Sequence, residues 1–123
     1  MKTILLNVNE NKIEHLDVED KLEEFYKLIK CRTIDIVKRK IGGRYFDVVC
    51  DDEGLFADEV KISAINDIGV PLLVGNLLFF NHDSEGNLLP LSDEDCGHIK
   101  KYIKTRCTNK YPEGYLMLTQ CEY

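Results

Sequence analysis

The chain has 123 residues, 44% of them hydrophobic and 31% charged. A chain of this length forms one domain, and this composition is too apolar for an intrinsically disordered protein. The formal net charge of −6 disfavours general nucleic-acid binding, because an acidic surface repels phosphate unless its basic residues gather on one face.

No targeting or membrane segment is evident in the sequence. Asn7, Asn9 and Glu10 interrupt the N-terminal stretch where a signal peptide needs a continuous apolar core. The longest apolar run, "VPLLVGNLLFF", is far shorter than the roughly 20 residues of a membrane span. The five cysteines, an odd number without a secretion signal, are typical of free thiols. We therefore expect a soluble, cytoplasmic protein with no membrane association.

The N-terminal half predicts two strand pairs around a helix. "TILLNVN" and "KIEHLDV" are two short strands, and Asp17 is predicted to cap a helix over about residues 18–30 whose apolar positions recur at helical spacing. "RTIDIVKRKI" and "RYFDVVC" flank Gly42-Gly43, which predicts a hairpin because a primed turn needs positive φ at both central residues. This turn pairs Ile36 with Val49, Val37 with Val48, and Lys38 with Asp47.

The C-terminal half alternates strands with acidic turns and ends in one more strand. "KISAIN" and "LLVGNLLFFN" are strand-like, and "DDEGL" and "DSEGNL" are turns with glycine at the fourth place. Ser92 with Asp95 forms a capping box that opens a second helix, with Cys96, Ile99 and Ile103 as its inner stripe. "YPEG" then turns into the last strand, "YLMLTQCEY". The predicted fold is a single α+β domain, a mainly antiparallel curved sheet with two helices packed on one side.

The spacing of the candidate ligands argues against two possible metal sites. Asn81, Asp83, Glu85 and Gly86 match the start of a calcium loop, but its twelfth place holds Ser92 rather than a bidentate glutamate. Cys96 and His98 are two residues apart on the predicted helix, so they point to different faces. We predict no metal site and no cofactor.

The sequence selects no catalytic residue. It contains none of the nucleophile-elbow, phosphate-loop, dinucleotide or zinc-protease motifs, and its cysteines and histidines can be paired in many ways. A small enzyme with a cysteine or carboxylate site stays open as an alternative. We predict no catalytic residues.

The distribution of charged residues along the chain is the feature of the sequence that most suggests a binding surface. Basic residues gather on the hairpin, and acidic residues form stretches that include Asp58 and Glu59. The hairpin residues have a structural explanation as the edge of a sheet, which we favour over direct binding. If the protein does bind a partner, the candidate binding residues are Lys38, Arg39, Lys40, Arg44, Asp51, Asp52, Glu53, Asp83 and Glu85.

The order of these segments resembles a family of small proteins known only as a domain of unknown function, the one numbered 3846. "IDIVKRKIGGRYFDVVCDDEGL" and "VPLLVGNLLFFNHDSEGNLLPLSDED" carry the resemblance, which covers roughly residues 3–104. We take residues 1–104 as a family-like α+β domain and residues 105–123 as a C-terminal extension, with a strand, of the same domain. The resemblance implies an α+β fold and a setting in gut Firmicutes and their phages and plasmids.

Three functional hypotheses follow. The first is a cytoplasmic accessory protein of a bacterium or mobile element that binds a protein partner, for which a host protein is the candidate. The second is a phage or plasmid anti-defence factor with an acidic face that mimics nucleic acid. The third is the small enzyme named above.

Overall fold

A computed structural model describes residues 1–53 and 61–123. These residues form two helices and two sheets. In chain order the elements are β1 (Lys2–Asn7), β2 (Lys12–Asp17), α1 (Leu22–Ile29), β3 (Ile34–Ile41), β4 (Arg44–Asp51), β5 (Ile62–Ile65), β6 (Pro71–Val74), β7 (Leu77–His82), β8 (Leu88–Leu89), α2 (Asp93–Lys101), β9 (Ile103–Arg106), β10 (Tyr115–Leu118) and β11 (Cys121–Glu122).

The strands make a seven-stranded sheet and a four-stranded sheet. The large sheet has the order β11-β3-β4-β7-β1-β2, with β8 paired to β7, and the small sheet has the order β6-β5-β10-β9. Every pairing is antiparallel except that of β10 with β5. The α+β class is therefore confirmed, with two sheets where the sequence predicted one. The run "LLVGNLLFFN" divides between the sheets at Gly75, whose φ is +77°.

The two helices cover opposite faces of the large sheet, so the prediction that both pack on one side is wrong. Leu5 packs in a cluster with Phe25 and Ile29 of α1, which we call the α1 cluster. Its neighbour Leu6 packs with Ile99 of α2 and with the small sheet, in the α2 cluster. Successive side chains of a strand point to opposite faces. Because β1, β4 and β7 are apolar on both faces, each face requires its own cover.

Helix α1 begins later than predicted. Its N-cap is Lys21, without a side-chain cap, and the helix starts at Leu22 rather than near residue 18. Asp17 instead ends β2, where its carboxylate accepts a hydrogen bond from the N-terminal amine of Met1 at 2.8 Å. The chain thus stays extended for as long as it can pair with the N-terminal strand.

Helix α2 begins as predicted and ends early. Ser92 accepts a hydrogen bond from the Asp95 backbone N–H at 3.1 Å, and Asp95 accepts one from the Ser92 N–H at 2.9 Å, so the predicted capping box is confirmed. Cys96 and Ile99 are buried on its inner side. Ile103 is buried too, but as the first residue of β9. Neither described helix, at 8 and 9 residues, is long and apolar enough to cross a membrane.

Candidate binding surface on the β3–β4 hairpin

The β3–β4 hairpin has the register that Gly42-Gly43 predicts. Ile36 lies opposite Val49, and Lys38 lies opposite Asp47. Gly42 and Gly43 have φ values of +53° and +87°, as a primed turn requires. The two strands are therefore aligned by their turn, and this alignment decides which face each basic side chain shares.

The basic residues of the hairpin divide between the two faces of the sheet. Lys38 and Lys40 alternate with Ile36 on the side of β3 that faces the α1 cluster, because their partner strand buries Val49 there. Arg39 lies opposite Phe46, which is buried in the α2 cluster. By the same alternation Arg44 shares that second face with Phe46. The four basic residues of the hairpin therefore form two pairs on opposite faces of the sheet rather than one basic patch.

Arg44 forms contacts within the protein. Its guanidinium pairs with the carboxylate of Asp95, lies 4.0 Å from the carboxylate of Glu94, and stacks over the ring of Phe46 at 5.4 Å. Burial raises the pKa of Asp95, but hydrogen bonds from Ser92, Asn81 and Arg44 outweigh it and lower that pKa to about 2. Arg44 therefore attaches the hairpin to the first turn of α2.

The hairpin turn also packs on the C-terminal end of α2. His98 Nε2 lies 2.8 Å from the carbonyl oxygen of Ile41. A Cβ on Gly42 would come within 2.1 Å of the Tyr102 ring, so only glycine fits beneath that ring. Arg39 is occupied as well, because its guanidinium centre lies 4.5 Å from the centre of the Tyr123 ring. Both arginines of the hairpin thus have structural roles.

Lys38 and Lys40 face the other way and form no ion pair within the described parts of the chain. Asp47 stands opposite Lys38 in register, but its carboxylate lies 3.2 Å from His82 Nδ1 instead. Lys40 Nζ lies 6.0 Å from the centre of the Tyr45 ring. These two ammonium groups are therefore available to a negatively charged partner.

Two apolar side chains accompany these lysines. Ile36 is 44% exposed and Tyr45 is 52% exposed. We call the surface of Ile36, Lys38, Lys40 and Tyr45 the hairpin face. Neither Ile36 nor Tyr45 was among the predicted binding residues, although the alternation of "IDIVKRKI" was the signal that could have grouped Ile36 with the two lysines.

Next to the hairpin face, the outer edge of β3 has no partner strand among residues 1–53 and 61–123. Strand β11 pairs only with Lys40 and Ile41, through Glu122 and Cys121. No described strand pairs with the outer side of residues 34–39. An unpaired strand edge presents a row of backbone N–H and C=O groups that another extended chain can join.

Some of the predicted acidic residues already form contacts within the fold, and the two acidic turns follow different strands, β4 and β7. Asp51 Oδ1 accepts a hydrogen bond from the Glu53 N–H at 2.8 Å, and Glu53 pairs with Arg32 at 3.2 Å. Asp52 and Glu85 are exposed. Gly54 and Leu55 of the first acidic turn, with Asp58 and Glu59, lie outside the described residues.

The turn after β7 organises its own carboxylate. Asp83 Oδ1 accepts hydrogen bonds from the N–H groups of Glu85 and Asn87 at 2.9 Å each, and Oδ2 accepts one from Asn87 Nδ2 at 3.1 Å. The bonds from Asn87 are the main cause of the lowered pKa of Asp83. Both oxygens therefore stabilise the turn. The described residues contain no group of three or more His, Cys, Asp or Glu side chains placed to hold a metal.

Four of the five cysteines are packing residues. Burial raises the pKa of Cys31 and of Cys121 to about 11, that of Cys50 to about 12, and that of Cys96 above its ordinary value. A thiol reacts as its thiolate, so these four are poor nucleophiles at neutral pH. The fifth, Cys107, is exposed.

Comparison with known proteins identifies a family and nothing closer. The searches of curated proteins and of solved structures both gave no match. A family model described as "Domain of unknown function (DUF3846)" matches residues 1–105, which is most of the chain. The resemblance carried by the hairpin and by the "VGNLLFFNHDSEG" segment is thereby confirmed, and the chain belongs to this family.

Proposed function

We propose that this protein acts by binding a protein partner, and that the hairpin face is its contact surface. One observation carries the proposal: two lysines without ion pairs among the described residues lie beside the exposed Ile36 and Tyr45. Tyrosine is enriched at the centre of protein interfaces because it combines a large apolar ring with a hydrogen-bonding group. A cation pair around such apolar groups fits an acidic partner.

The partner that fits best is an acidic segment in extended conformation. Added to the open edge of β3 along residues 34–39, such a strand would satisfy backbone groups, and its carboxylates would meet Lys38 and Lys40. The family resemblance suggests a cytoplasmic accessory protein of a bacterium or mobile element, with a host protein as the partner.

The nucleic-acid mimic is less well supported. It needs both acidic turns on one continuous face. Asp51 ends β4, whereas Asp83 follows β7, which runs antiparallel to β4 with Phe80 opposite Asp47. The register therefore separates the two turns by the length of β4, about 24 Å at about 3.4 Å per residue.

Site-specific photocrosslinking tests the proposal. A photoreactive amino acid replaces Tyr45 in the full chain, and crosslinked proteins from a Firmicutes lysate are identified by mass spectrometry. The control carries the same group at Ile68, which is 80% exposed in a turn next to the small sheet. We expect a product at position 45 that is absent at position 68.

A pair of charge reversals makes the test specific. Lys38→Glu with Lys40→Glu should abolish the product at position 45, because an acidic partner would be repelled. Lys101→Glu with Lys104→Glu changes the net charge equally at two exposed lysines outside the hairpin and should leave the product unchanged. Equal loss in both double variants, or no loss in either, would refute the hairpin face as the contact.

A further inference from the structure

We propose that a cavity beside the β9–β10 connection binds a small oxyanion, the phosphate or carboxylate group of a small molecule. The cavity measures about 290 Å³. That is near the lower end of the range for small-molecule sites, about 300–1,000 Å³. Its lining residues are Asn11, Lys61, Lys110, Tyr111, Pro112, Glu113, Gly114 and Tyr115.

Two ammonium groups meet at one aromatic ring in this cavity. Lys61 Nζ lies 4.8 Å and Lys110 Nζ lies 5.7 Å from the centre of the Tyr111 ring. Lys61 Nζ is also 5.3 Å from the ring of Tyr115, which packs edge-on against Tyr111 at 5.5 Å. The electron-rich faces of the two rings attract both cations, and both lysines line the same cavity.

This charge is not compensated by the described residues. Among them, no carboxylate lies within ion-pair distance of Lys61 or Lys110, and Lys61 Nζ donates a hydrogen bond to the carbonyl oxygen of Val8 at 3.4 Å. An anion in the cavity would be attracted by both ammonium groups. Within residues 1–53 and 61–123 neither lysine has an ion-pair partner, although the chain as a whole has a net charge of −6.

The side chain of Asn11, which also lines the cavity, supplies a third hydrogen-bond donor. Asn11 adopts a left-handed conformation with φ of +55°, and its Oδ1 accepts a hydrogen bond from the Leu116 N–H at 2.7 Å. That bond orients the side-chain amide and leaves its NH₂ group to donate. Two ammonium groups and one amide can all donate hydrogen bonds to an oxyanion, and the bonds from the ammonium groups are charge-assisted. Glu113 also lines the cavity and limits the negative charge that it accepts.

Most of this site lies beyond the part of the chain that the family model matches. The match ends at residue 105, whereas six of the eight lining residues lie at positions 110–115. The site is therefore an attribute of this chain's C-terminal extension, and it is independent of the hairpin face.

An NMR titration of the full ¹⁵N-labelled chain tests the site. Inorganic phosphate and acetate are added in separate arms at constant ionic strength, and the amides of Gly114 and Leu116 are followed. We expect saturable shifts in at least one arm, and the tighter arm identifies the group as phosphate or carboxylate. Shifts that stay linear in both arms, or that sodium chloride alone reproduces with saturation, would overturn the proposal.

Variants separate binding from folding. Lys61→Met and Lys110→Met keep much of the apolar stem and should each weaken binding at least tenfold, whereas Lys101→Met should not. Lys110 is exposed, so its variant stays informative if Lys61→Met fails to fold. Glu113→Gln should tighten binding several-fold, because it removes the one carboxylate among the described lining residues. Unchanged affinity in both lysine variants would refute the site.

Discussion

Arg44 of the β3–β4 hairpin pairs with Asp95, the residue whose carboxylate also closes the capping box of α2. One ion pair therefore joins the turn of a local hairpin to the start of a helix 51 residues further along the chain. This contact explains the position of a basic residue at the hairpin tip without any partner, and it makes Arg44 a stability residue rather than a binding residue.

Replacing Arg44 should destabilise the protein without affecting the hairpin face. In Arg44→Gln, the buried Asp95 carboxylate loses a charged donor, which costs about 1–3 kcal/mol of unfolding free energy. Urea unfolding measures this change. Lys101→Gln changes an exposed lysine of α2, the helix that contains Asp95. It is the matched control and should change stability little. Equal stability of the two variants would contradict the structural role of Arg44.

Asp95 should make the protein sensitive to acid. Its pKa is about 2 in the folded protein and 3.8 ordinarily, so the unfolded chain binds this proton first as the pH falls. The stabilisation is complete above pH 4 and is lost as the pH falls through about 2, and it amounts to about 2 kcal/mol. Asp95→Asn should lower stability at neutral pH and flatten the pH dependence between 4 and 2. Asp67→Asn, in an exposed turn, should keep the original slope.

The two turn glycines should differ in their tolerance of alanine. Gly42→Ala places a methyl group against the Tyr102 ring and should cost about 1–3 kcal/mol through overpacking, beyond the strain of its positive φ. Gly43→Ala also requires a positive φ, of +87°, but no atom of the described residues lies within 4 Å of the new methyl group. Chemical unfolding of both variants gives the comparison. Combining Gly42→Ala with Tyr102→Ala should recover part of the loss, and failure to do so would assign the effect to the backbone alone.

Only one thiol should react quickly in the folded protein. Cys107 is exposed, while burial keeps the other four thiols protonated at neutral pH. A chromogenic disulfide reagent should therefore show one fast equivalent, with the remaining four reacting after denaturation. Cys107→Ser should remove the fast phase. Any fast equivalent that remains in that variant would contradict the protection of the four other thiols by packing.

We propose that the C-terminal extension is part of the same folding unit as residues 1–104. Ending the chain after Arg106 would remove four buried hydrophobic side chains, Tyr115, Met117, Leu118 and Cys121. Burial of a large apolar side chain contributes about 1.5–3 kcal/mol, so this loss is comparable with the whole stability of a small domain. The truncated chain should lose cooperative thermal unfolding, while removal of Tyr123 alone, which is 75% exposed, should have a small effect.

The features that depend on residues close together in the chain could be predicted from the amino-acid order. The hairpin register follows from Gly42-Gly43, and the start of α2 follows from Ser92 and Asp95, because turns and caps are formed by residues a few positions apart. The family likewise follows from the order of the segments.

The contacts that those segments make could not be predicted in this way, because they depend on how the whole chain packs. The tertiary structure placed α1 and α2 on opposite faces, put the Asp47 carboxylate beside His82 rather than beside the lysine across the hairpin, and brought Lys61 to Tyr111. Each of these contacts joins residues far apart in the chain, so it depends on which strands become neighbours in the sheets. Alternation along a strand shows which side chains share a face, but the packing of the whole fold decides which of those faces is covered.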